Sequence, residues 1–287
     1  MMKRIYVILL LCSAAISLQS ASAESLRGQR DSSGITWSRT RVDGSRTGVT
    51  VPASGDSDKA LGRVSGRRYY APSGRVFKGG SVPKVARTVI DAQPAMAPVK
   101  RVIGYSPEPM AADYPESALS NWFADNLIRA AEDIFGTEVD MSIANFGGIR
   151  TDMPEGDVTV DDIRSMFPFK NDLVYLKLRG ADIRNILEWM AENGFQVLGG
   201  VRVVARDGKL VSAEIGGKPL DDNALYGVAT ISFLLDGGDG LYLGRNAVEK
   251  IDRKVEIYDA VMDIIEKETA SGRQITGCKD GRVLIEE

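Results

Sequence analysis

Two glycine-rich loops hold most of the residues in this chain that could bind a ligand. The first runs from Asn145 to Phe169 and reads NFGGIRTDMPEGDVTVDDIRSMFPF; the second, Ser232 to Gly240, reads SFLLDGGDG. In the first, Gly147 and Gly148 leave the backbone bare, which suits a tight turn or the close approach of a ligand. Alone, such a pair is an ordinary turn. Arg150 adds a fixed cation whose planar fork of donors matches phosphate, carboxylate or sugar oxygens. Pro168 stops the short helix before it, so Phe169 falls on a loop, either as core or as a stacking surface. The second loop repeats the arrangement with Phe233, Asp236 and Asp239. Two rings can clamp a flat ring, an acidic side chain can accept from vicinal hydroxyls, and the arginine can take an anion. A flat base, a diol and an anion together make a nucleotide.

The elements that must position these loops follow from hydrophobic periodicity. Val139 to Ala144 alternates and is β-prone, which puts Asn145 at a strand's carboxyl end. Thr159 can cap a short helix whose first turn carries Asp161 and Asp162. Ser117 to Phe135 has apolar residues at helical spacing and is ended by Gly136; Asn121 and Asp125 on it read as local hydrogen-bonding partners. Asn171 to Gly180 alternates as a half-buried strand, and Asp182 to Asn193 is a helix closed by Gly194. Short strands are predicted at 195–198, 201–205 and 210–215, the last two joined by an Asp207-Gly208 turn. Leu225 to Ile231 is a buried strand that delivers the second loop. A long helix from about Ala247 to Thr269 and a final strand, Arg282 to Ile285, complete an α/β (α+β) domain with helices covering sheet faces.

The chain has 287 residues, 44% hydrophobic and 26% charged, enough for one sizeable domain and an additional segment. Lys3 and Arg4, the apolar run Ile5 to Leu11 and Ala21-Ser22-Ala23 read as a secretory signal peptide over residues 1–23, too short for a membrane span. A periplasmic or extracellular protein starting at Glu24 is expected. Leu11 before Cys12 does not fit a lipid-attachment site, and cleavage would leave Cys278 alone, read here as a partly buried structural thiol. Residues 24–101 hold 15 Lys and Arg against 6 Asp and Glu, while 102–287 hold 19 against 33. This asymmetry predicts two physically different parts: a basic, disordered arm over 24–100 and a folded domain over 101–287. The cluster SGRRYYAPSGRVFKGG in the arm mixes arginines with aromatics; a solvated linker is expected there rather than a nucleic-acid surface. The chain contains no histidine. Hydrolysis with a histidine base is thereby excluded, and imidazole-rich metal sites are disfavoured.

NFGGIR, PEGDVTVDDIRSMFPF and LYGVATISFLLDGGDG, with ESALSNWFADNL ahead of them, resemble the C-terminal domain of the 5′-nucleotidase family. The resemblance spans about Arg101 to Glu287, four motifs in the family's order. It implies a four-layer α/β/β/α fold and a substrate-recognition role. By motif, Phe169 and Phe233 sandwich the base, and Asn145 with the Gly147-Gly148 backbone meets the base edge. Asp239 takes the ribose hydroxyls and Arg150 the ribose-phosphate side. Three departures stand out. Phe146 occupies a usual glycine position and is expected to narrow the site; Ala112-Asp113-Tyr114 stands where the family has a second substrate-contacting arginine; and the metallophosphoesterase part, with its two metals and His-Asp pair, has no counterpart. No catalytic residue, metal ligand or cofactor is therefore expected in these residues, divalent metals belonging to a separate catalytic partner. Three classes stay open: the recognition half of a split nucleotidase working with a separately encoded metallophosphatase, a stand-alone nucleoside or nucleotide binder, and a structural surface protein that keeps the fold.

Overall fold

The computed structural model describes residues 61–286; residues 1–23, read above as a signal peptide, and 24–60, the first part of the expected arm, lie outside the described residues. The core is a five-stranded sheet built from β5 (Met141–Ala144), β7 (Asp172–Arg179), β8 (Val197–Gly199), β12 (Leu225–Ile231) and β13 (Glu249–Glu256), in the order β13-β7-β12-β5-β8. β12 pairs parallel with β5 and antiparallel with β7, so the two strands that precede the glycine loops lie side by side and point the same way. That one pairing brings the loops together. Parallel neighbours buried on both faces read as continuous apolar runs, and every residue of MSIA is buried.

A second sheet has the order β11-β10-β9-β14, from β9 (Val201–Arg206), β10 (Lys209–Ile215), β11 (Lys218–Pro219) and β14 (Val283–Glu286). β4 (Val102–Ser106) and β6 (Gly156–Thr159) pair separately. Helix α2 (Ala118–Phe135) packs on the five-stranded sheet and against α5 (Ile257–Ala270), while α4 (Gly180–Asn193) lies between β7 and β10. Local chemistry sets the ends. Ser117 and Ser120 form a capping box for α2, and Gly136 closes it at φ 69°. Thr159 and Asp162 cap α3 (Val160–Met166) in the same way. Asp207 and Gly208, at φ 49° and 72°, make the β9–β10 hairpin turn with both central residues left-handed.

Three expectations need correction. Residues 249–256, read as the start of a long helix, form β13 on the edge of the main sheet, and the helix starts only at Ile257. Ile251 and Val255 satisfy a helical and an extended spacing equally; pairing with β7 decides between them. Residues 61–100, expected to be unstructured, form a small antiparallel sheet of β1 (Arg63–Ser65), β2 (Arg68–Tyr70) and β3 (Val76–Lys78), followed by α1 (Ser81–Ala92). Three-residue strands are too short to show periodicity, and their Arg, Ser and Gly content masks them. Cys278 is exposed rather than partly buried; its carbonyl, not its thiol, faces inward, accepting from Asn121 Nδ2 at 3.0 Å.

Candidate functional site

Asn145 follows the last residue of β5, and its side chain is almost wholly buried, 6% exposed. Its Nδ2 donates to Asp239 Oδ2 at 2.7 Å, tying the first glycine loop to the second. Its Oδ1 is buried with no protein partner. A buried acceptor left unmade is costly, and this one belongs to a residue lining a cleft, where an incoming donor would satisfy it. The glycines explain how the side chain fits. A Cβ on Gly148 would lie 2.6 Å from Asn145 Oδ1 and one on Gly147 3.3 Å from Nδ2. The bare backbone of the turn Phe146–Gly148 therefore closes over the asparagine amide.

Phe169 and Phe233 are the residues that periodicity left undecided between core and surface. Phe169 is 48% exposed and Phe233 44%. Neither is core. Each has a buried neighbour that takes the core place: Phe167, after α3, packs its ring 4.5 Å from Phe123, and Leu234, beside Phe233, is fully buried. The two exposed rings make no contact with one another, since no ring pair joins them. Phe233 is held by Gly238, where a Cβ would stand 2.7 Å from its ring atoms and 2.2 Å from its carbonyl oxygen. Asp239, exposed, follows at φ 48°, a left-handed conformation that a non-glycine residue adopts at a cost. Gly240 cannot carry a side chain either, because a Cβ would meet Trp189 at 2.6 Å.

Arg150 leaves its loop towards solvent. Its Nη1 donates to the Gly147 carbonyl at 3.2 Å and its guanidinium lies 5.8 Å from the Phe169 ring centroid. Among the described residues it pairs with no carboxylate. A cleft is lined by Asn145, Gly148, Phe169, Asn171, Ile231 and Ile257 over a floor of Phe123 and Phe167. Asn171 is the residue that sequence reasoning passed over. It stands two positions after Phe169, just ahead of β7, and its backbone carbonyl accepts from Ile257 while its amide makes no hydrogen bond among the described residues. An alternating strand pattern absorbed it; its place in FPFKN next to an exposed aromatic was the available signal.

Two of the departures turn out to be one feature. The Phe146 ring sits edge-on to Tyr114 at 6.0 Å, and its N–H donates to Gln196 Oε1 at 3.2 Å. Tyr114 Oη accepts from the Phe195 N–H at 3.3 Å. Phe146 is thus turned to Tyr114 and does not line the cleft that it was expected to narrow. The sum of the arrangement is a shallow site with stacking surfaces, amide donors and acceptors, one carboxylate and one free cation.

Comparison with known proteins gives the family. The sequence profile of the 5′-nucleotidase, C-terminal domain, matches residues 102–245. Protein UshA of Escherichia coli is 33% identical over 119 residues, covering 40% of this chain and 22% of that protein. The NAD 5′-nucleotidase of Haemophilus influenzae is 34% identical over 122 residues, 36% of this chain and 20% of that protein. The chain spans about a fifth of the length of these curated relatives. Among solved structures, the 5′-nucleotidase precursor of Thermus thermophilus superposes with a TM-score of 0.61 at 24% identity, over 75% of this chain and 45% of that one. That likeness carries the fold, and with the profile covering half of its residues the chain belongs to the 5′-nucleotidase C-terminal-domain family.

Proposed function

We propose that this chain is the exported nucleotide- or nucleoside-recognition half of a nucleotide-hydrolysing system, with bond cleavage supplied from outside these 287 residues. The observation that carries the reading is the pair of exposed phenylalanines on neighbouring loops, joined beneath by the Asn145–Asp239 hydrogen bond. Phe169 lines the largely apolar cleft and Phe233 stands two residues after Ile231, which also lines it, and exposed rings so placed suit a flat base. In this reading Phe169 and Phe233 enclose the base, and Asn145 Oδ1 and Asn171 receive its edge. Asp239 accepts from the ribose diol, and Arg150 meets the phosphate side. Phosphoryl transfer to water needs charge neutralisation and an activated water, a task for divalent metals on a catalytic partner such as a metallophosphatase. Calorimetric titration with adenosine, AMP and UDP-glucose tests it. Saturable binding of at least one is expected, with no phosphate release by the chain alone; no binding of any, or metal-dependent release by the purified chain, would overturn it.

A further inference from the structure

The basic character of the chain's first third is concentrated in the residues that form the small sheet, α1 and the segment after it. Residues 61–101 hold nine Lys and Arg and one acid, Asp91, whereas residues 24–60 hold six and five. The register sorts these charges by face. Arg63 stands opposite Tyr70 and Tyr70 opposite Val76; Ser65 stands opposite Arg68 and Arg68 opposite Lys78. Residues facing each other across antiparallel strands share a face, so Arg63, Arg68, Tyr70 and Lys78 lie together. Val64, Tyr69 and Phe77 lie on the other, more shielded face, where the Tyr69 and Phe77 rings stack 6.0 Å apart.

On the charged face Arg68 and Lys78 are direct cross-strand neighbours of like charge, a placement that costs stability unless an anion lies over it. Among the described residues no carboxylate does so. Among the described residues Arg63, Arg68, Lys78 and Arg67 in the adjoining turn form no ion pair, and all four are exposed. The Arg63 guanidinium lies 4.2 Å over the Tyr70 ring, which makes a flat cation–aromatic ledge beside the charged pair. Val76 is the only aliphatic side chain on this face, too little apolar surface for insertion into a lipid layer.

We propose that this face binds the phosphate backbone of single-stranded nucleic acid, with a base stacked on the Arg63–Tyr70 ledge. Repeated phosphates neutralise the Arg68–Lys78 pair, and an unpaired strand is needed because only its bases are free to stack. This surface is separate from the cleft and does not depend on the proposed function.

Fluorescence anisotropy of a labelled oligo(dT) of about 20 nucleotides with the full chain tests the proposal. With four cations engaged at roughly 0.7 each, log affinity falls against log salt with a slope of about −3, about a 50-fold loss between roughly 50 and 200 mM. Arg68→Glu with Lys78→Glu is expected to remove binding while leaving the thermal midpoint nearly unchanged, since one like-charge pair replaces another. Tyr70→Ala is expected to weaken the single strand by about 5-fold or more and leave weak duplex binding untouched. The milder Lys78→Gln serves if the double variant fails to fold, and is expected to flatten the salt slope by about 0.7. Absence of oligonucleotide binding by the unmodified chain at about 50 mM salt would overturn the proposal, as would unchanged binding by the folded charge variants. Sedimentation with phosphatidylglycerol vesicles without binding to the oligonucleotide would overturn it in favour of a membrane surface.

Discussion

Two clusters in this domain use the same residue types to opposite ends. At the junction of α2 and β14, Arg282 is buried and donates to both oxygens of Asp125, at 2.7 and 3.1 Å, to both of Asp280, at 3.0 and 2.9 Å, and to the Leu198 carbonyl. Asn121 beside it donates to Glu116 Oε2 at 2.9 Å. At the cleft, Asn145, Asp239 and Arg150 make one side-chain bond among the three, and the arginine keeps nearly all of its donors free. Each cluster also holds one buried oxygen without a protein partner among the described residues, Glu116 Oε1 and Asn145 Oδ1, and the asparagine lines the cleft. The difference teaches that the same Asn, Asp and Arg are cement where their valences are used internally and stay available to a ligand where they are left over.

Substitutions sharpen that contrast, and the largest effect is expected on the cement. Arg282→Ala should destabilise the domain by about 2–3 kcal/mol. That is less than the roughly 3–5 typical of a broken buried pair, because Asp125 and Asp280 remain part-exposed to water. Thermal melting reads it, and nucleoside affinity of the folded fraction should not move. Phe233→Ala should behave in reverse: a stability change within about 0.5 kcal/mol, as for an exposed side chain, and a loss of about 1–3 kcal/mol in nucleoside binding.

Smaller effects separate the polar roles in the cleft. Asp239→Asn should cost ribonucleosides about 1 kcal/mol more than 2′,3′-dideoxy analogues, since only the former present the diol. Equal losses for both would assign Asp239 to holding Asn145 and nothing more. Arg150→Ala should weaken AMP more than adenosine, by about 0.5–1 kcal/mol in this solvent-exposed place, and the gap should shrink with added salt. Acid provides a further arm. The hydrogen bond from Arg282, against a smaller opposing effect of burial, holds the Asp280 carboxyl below its ordinary value of 3.8. A depressed folded-state value stabilises the fold above the unfolded value, and that contribution is lost as pH falls below about 3.8 through the folded one. Arg282→Ala should therefore flatten the fall in melting temperature on that side of the pH range.

The contrast between the clusters also explains what could be read from the chain. Strands and helices that carry the loops were legible because VDMSIA alternates, because LYGVATI is short and mostly apolar, and because Ser117, Thr159 and Gly136 punctuate helices in ways that depend on neighbours three or four residues away. The exposed state of Phe169 and Phe233 was not legible, since an aromatic after a strand or a proline is compatible with either side of the surface; the neighbours Phe167 and Leu234 compete for the same core and won it. β13 was misread because its edge pairing with β7, Glu249 with Lys177 through Glu256 with Asp172, depends on residues far earlier in the chain. The Asn145–Asp239 bond spans 94 positions and the Arg282–Asp125 pair 157, so their status as surface or cement emerged only from the fold. Asn171 shows the reverse case, a site residue hidden inside a correctly read strand boundary.

The central claim, that the exposed rings form a base clamp rather than a stray apolar surface, is tested most directly by measuring adenosine affinity and melting temperature on the same preparation of the unmodified chain and of Phe233→Ala. The expected result is an affinity lower by a factor of about 5 to 150 at an unchanged melting temperature. Unchanged affinity in a stable variant would contradict the clamp, and so would a variant whose only change is a melting temperature lowered by many degrees.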